Sequence, residues 1–106
     1  MNDKSTKEMK VVRDYIREIV CRTKNDPYLL DIDAKNRLSV RIVKWDKCRR
    51  GVLICVRDLK GPETMWDSCT TRWFWVRTYS HFWKYSIWKE VNDVVCNMRY
   101  PDKLPL

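Results

Sequence analysis

The chain has 106 residues and a formal charge of +8, from 22 Lys and Arg against 14 Asp and Glu. That length suits one domain with one core, and 44% hydrophobic with 34% charged residues excludes a disordered chain. No apolar run approaches the roughly 20 residues of a membrane span, and the charged start MNDKSTKEMK is unlike a secretory signal.

The first predicted element is a helix from about Lys4 to Thr23. Ser5 and Glu8 have the spacing of a capping box. Met9, Val12, Ile16, Ile19 and Val20 recur at steps of three and four, with Tyr15 on the same flank, and mark a core face. The opposite face mixes Lys7, Lys10, Asp14, Arg17 and Glu18, the pattern of a solvated surface. Asn25, Asp26 and Pro27 stop the helix.

Strands are expected next. YLLDI at 28–32 reads as the first, with the polar DAKN after it suiting a hairpin. In RLSVRIVKW at 37–45, Leu38, Val40 and Ile42 share one side, whereas Arg37, Ser39 and Arg41 share the other. The turn DKCRRG leads into VLICVRDL, where Val52, Ile54 and Val56 fall together. KGPETMWDSC reads as an exposed loop. TRWFWVRT then alternates Trp73, Trp75 and Arg77 against Arg72, Phe74 and Val76.

From about Ser80 the period changes to that of a helix. Trp88, Val91, Val95 and Met98, widened by Ile87 and Val94, form its apolar face, and the helix should end before Pro101. The expected fold is therefore α+β: an N-terminal helix, a three- or four-stranded antiparallel sheet and a C-terminal helix, both helices on one face. Residues 1–106 form a single domain, with a core over about 4–99 and a C-terminal tail over 100–106. The element order resembles that of double-stranded RNA-binding domains. That family's lysine-rich start to the last helix is absent, however, and HFWKYSIWKEV stands in its place.

Two assignments of the aromatic strand follow from its alternation. If Phe74 and Val76 face the helices, Trp73, Trp75 and Arg77 stand on the open face, where rings can stack on unpaired bases. If the faces are reversed, both tryptophans fill the core. Lys44, Lys47, Arg49 and Arg50 gather positive charge at one turn, offset by Asp46, and can approach phosphates. Arg72, Lys84 and Lys89 are candidate extensions of that patch.

The cysteines, Cys21, Cys48, Cys55, Cys69 and Cys96, show neither CxxC spacing nor a disulfide framework. Reduced, packed thiols, an intracellular location and no metal or cofactor are expected. His81 is the lone histidine, and no phosphate-cradling glycine loop occurs, so no catalytic residue is assigned. The leading expectation is a non-enzymatic basic domain that engages nucleic acid through Lys44, Lys47, Arg49, Arg50, Arg72, Trp73, Trp75 and Arg77. The alternative is a protein-binding module, such as a phage- or virus-type inhibitor that blocks a host protein. It would anchor on an acidic partner through Met65 and Trp66. A membrane partner is not expected, and a spare sheet edge would permit a homodimer.

Overall fold

The computed structural model describes residues 3–62 and 66–100, with side chains in α1 from Lys7 onward. Helix α1 spans Asp3–Lys24 and begins ahead of Ser5, which therefore lies inside its first turn. Val12, Ile16 and Ile19 are buried, with Met9, Tyr15 and Val20 packed beside them, so the apolar stripe is the core face.

The segment after α1 departs from the expected strand. Asp26 accepts the Tyr28 N–H at 2.9 Å and caps a single 3₁₀ turn, Pro27–Leu29. The backbone then bends through Asp33, at φ 56°, into a short helix α2, Ala34–Arg37. Arg99 donates to the Tyr28 carbonyl and to both carboxylate oxygens of Asp31. The Tyr28 and Leu29 N–H groups and the Tyr28, Leu30 and Ile32 carbonyls are thus bonded locally or by an arginine, and Pro27 presets the dihedral of a helical first turn. YLLDI makes no ladder, and the described residues form no fourth strand.

Three strands remain: β1 Leu38–Asp46, β2 Gly51–Asp58 and β3 Thr71–Val76, antiparallel in the order β1-β2-β3. Helix α3, Trp83–Arg99, closes the fold. Its core face is Ile87, Val91, Val94, Val95 and Met98; Trp88, expected among them, is 47% exposed and stacks on Tyr85 with centroids 5.9 Å apart. Trp88 lines a cleft against α1 with Ile19 and Arg22. None of the described helices is long and apolar enough to cross a membrane. The tail from Pro101 lies outside the described residues.

The core is one-sided. Leu38, Val52, Ile54, Val56 and Val76 are buried in a single cluster with the α1 and α3 stripes, and Val40, Ile42 and Phe74 pack against it. Burial of five such side chains on the sheet alone, at about 1.5 to 3 kcal/mol each, commits this face to the helices. No helix among the described residues covers the other face of the sheet.

Two ion pairs tie the layers together. Arg37 grips Asp58 with contacts of 3.1 and 2.6 Å, and Asp58 is only 3% exposed. Burial acts to raise the Asp58 pKa, but the Arg37 guanidinium and the Lys60 N–H outweigh it and hold the carboxyl below its usual range. Arg72 on β3 bonds Glu90 on α3 at 2.8 Å, which raises the Arg72 pKa further.

Candidate nucleic-acid interface

The helix-free face is built by register. Arg41 pairs with Cys55 and Cys55 with Trp73; Lys44 pairs with Leu53 and Leu53 with Trp75. Arg41 and Lys44 therefore stand on β1, Leu53, Cys55 and Arg57 on β2, and the tryptophans on edge strand β3. Because Phe74 and Val76 belong to the helix side, period-two alternation puts Trp73 and Trp75 on this one.

A β-bulge sets the middle of the array. The ladder slips between Ile42 and Lys44, leaving Val43 as the extra residue, 37% exposed. Unbroken alternation would turn Lys44 toward the helices and Trp45 away from them. With the bulge, Trp45 pairs with Val52 and packs on the core, and Lys44 joins the open face.

The turn between β1 and β2 brings further cations to the rings. Asp46 accepts the N–H groups of Cys48 at 2.9 Å and Arg49 at 3.3 Å, and the Arg50 N–H donates to the Lys47 carbonyl at 3.2 Å. Arg50 closes the turn in the left-handed region, at φ 52°, a conformation that normally favours glycine. Beside it Gly51 is held close to β3: a Cβ there would sit 2.9 Å from the Val76 carbonyl oxygen. Arg77 donates to the Arg49 carbonyl at 3.3 Å and so fastens the turn to the end of β3.

Cations and rings meet in pairs. Arg41 lies 5.8 Å from the Trp73 centroid, Arg49 lies 4.8 Å and Lys44 5.9 Å from that of Trp75, and Arg50 lies 5.1 Å from that of Tyr79. Such contacts are worth about 0.5 to 1 kcal/mol when exposed, enough to order long side chains without burying their charge. Asp46, 3.9 Å from the Arg49 Nε, and Asp67, bonded to the Trp73 N–H, are outnumbered here by Arg41, Lys44, Lys47, Arg49 and Arg50, so the surface carries net positive charge.

At the far end the loop after β2 folds back. Thr71 Oγ1 donates to the Pro62 carbonyl, Arg57 donates to the Gly61 carbonyl, both at 3.3 Å, and Asp67 accepts the outward Trp73 N–H at 2.7 Å. The Asp67 contact covers a donor of the sheet edge that another strand would otherwise pair with.

Of the residues assigned from sequence, Lys44, Lys47, Arg49, Arg50, Trp73, Trp75 and Arg77 gather on this face or its turn. Arg72 does not, because alternation directs it to the helix side, where Glu90 neutralises it. Trp66 is 70% exposed on the loop after β2, next to the Asp67 that accepts the Trp73 N–H, and Met65 lies outside the described residues. Arg41 and Tyr79 were missed. Arg41 carried a signal, standing opposite Leu38, Val40 and Ile42, whereas Tyr79 joins the array only through the turn that follows β3. His81 is exposed in the turn before α3, and no three His, Cys, Asp or Glu side chains among the described residues gather as metal ligands would. No protein-family model, curated protein or solved structure matches the chain.

Proposed function

We propose that the chain is a non-enzymatic nucleic-acid-binding domain and that the helix-free sheet face with its basic turn is the binding surface. The observation that carries this reading is the pairing of arginines from β1 and the turn with Trp73, Trp75 and Tyr79. Lys44, Lys47, Arg49 and Arg50 neutralise phosphates, releasing counterions and making affinity fall with salt. The rings add stacking worth about 1 to 3 kcal/mol per base. Arg77 supports the turn rather than the ligand. The partner is intracellular nucleic acid, met without cofactor or metal.

The test is a titration of the purified, nuclease-treated protein with labelled DNA and RNA oligonucleotides, following anisotropy across salt concentrations. Saturable binding whose logarithm falls with log salt by about 0.7 to 0.9 per phosphate contacted supports the reading. Absence of binding at low salt would overturn it.

A second reading rests on Trp66. A tryptophan 70% exposed on a loop is the kind of anchor that protein interfaces use, and the positive charge of the chain suits an acidic partner. Under that reading Trp66→Ala abolishes a stoichiometric protein complex and leaves retention on DNA unchanged.

A further inference from the structure

We infer that the ligand of this face is a single strand of nucleic acid lying along β3, with unpaired bases on Trp73, Trp75 and Tyr79 in turn and its phosphates over Arg41, Lys44, Arg49 and Arg50. This rests on the nucleic-acid reading above and narrows it from nucleic acid in general to strands with unstacked bases.

The spacing of the rings carries the argument. Trp73 and Trp75 stand two residues apart on one strand, a separation of about 6.8 Å along it. Successive bases in a duplex rise about 3.4 Å and cover one another's faces. Bases that meet successive rings here must therefore be drawn apart, which a single strand permits and a duplex does not.

The two-row layout sets the direction. Cations from β1 and rings from β3 run side by side with Cys55 and Leu53 of β2 between them. A strand whose backbone follows the cation row directs its bases toward the ring row. The basic turn extends the cation row, and Arg50 with Tyr79, itself 61% exposed, extends the ring row past the end of β3.

Arg49 and Arg50, over the Trp75 and Tyr79 rings, each have a second use in the complex. A base entering the array displaces the guanidinium from the ring, and the freed guanidinium pairs with the phosphate of the same or the next nucleotide. A weak cation–ring contact is exchanged for a ring–base stack and a charge-assisted hydrogen bond, so the free face holds its arginines near their final positions.

The experiment compares one mixed-sequence oligonucleotide, single-stranded and as its blunt duplex, against the full chain at matched salt concentrations from low to moderate, reading anisotropy and tryptophan fluorescence together. The single strand should bind at least about tenfold more tightly and quench the fluorescence. Tyr79→Ala, at an exposed position that leaves the core intact, should weaken binding of the single strand several-fold and that of the duplex by much less. Trp75→Phe, which keeps a stackable ring, should preserve most of the affinity while losing part of the quenching. Duplex binding as tight as single-strand binding, without quenching and indifferent to Tyr79→Ala, would overturn this inference while leaving the face a nucleic-acid surface. If neither form bound in a salt-dependent way, the functional reading itself would fail and the inference with it.

Discussion

The guanidinium of Arg49 lies 4.8 Å from the centroid of the Trp75 ring, reaching from the turn between β1 and β2 to a side chain on the opposite edge of the sheet. Turn and strand thus form one surface, and charge reversal at the turn should be felt by the whole array. Arg49→Glu with Arg50→Glu is expected to weaken binding to all sequences and to lower the salt slope by about 1.4, the share of two phosphate contacts on a single strand. A slope equal to that of the parent chain, measured by anisotropy from low to moderate salt, would remove the turn from the interface.

Arg50 separates stability from binding. Its left-handed backbone, at φ 52°, is strained by a side chain. Arg50→Gly should therefore stabilise the fold by up to about 1 kcal/mol while weakening nucleic-acid binding. Urea unfolding monitored by circular dichroism gives the first quantity and titration the second. A destabilised variant would show that the contact with Tyr79 outweighs the backbone strain.

Asp58 governs the acid side of stability. Its carboxyl is held below its usual pKa in the fold, so its stabilisation is complete above the unfolded value of about 3.9 and is lost as pH falls through the lower folded value. Asp58→Asn leaves Arg37 without its anion and should cost about 3 kcal/mol at neutral pH. The variant's stability should also change less than the parent's between pH 5 and pH 2, on the order of one carboxyl's contribution. Parallel pH profiles for the two proteins would contradict this.

Val43 can be deleted on paper without moving another pairing. Ile42 already opposes Ile54 and Lys44 already opposes Leu53, so removing Val43 turns the bulge into a regular ladder. Deletion should leave a cooperative thermal transition, with stability within about 1 kcal/mol of the parent, since the residue removed is partly exposed and extra to the pairing. Failure to fold would mean that the bend at the bulge is required to seat β1 against α1.

Much of this architecture is legible in the chain because a one-sided core leaves its period behind. Val12, Ile16 and Ile19 mark a helix, while Val52, Ile54 and Val56 mark a strand, and the change from TRWFWV to the α3 stripe separates β3 from the last helix. YLLDI misled because a short apolar run has no period of its own. Its fate was decided by the Asp26 cap and by Arg99, which lies 71 residues from Tyr28 in sequence. Arg72 was assigned by its charge, whereas its parity with Phe74 and Val76 already placed it toward the helices and Glu90.

Local pattern settled what each segment is, since burial on one side dictates a repeat of two or of three to four residues within the segment itself. It did not settle which way Lys44 and Trp45 point. Alternation alone gives the reverse of what occurs, and the slip at Val43 depends on how β1 meets β2 across their hairpin, a register that no repeat within β1 records. Only that ladder, holding Trp45 against Val52 and freeing Lys44 beside Trp75, brings cations and rings onto one face. A one-residue shift reverses the side of every residue beyond it, so the surface depends on tertiary pairing even where each strand can be read locally.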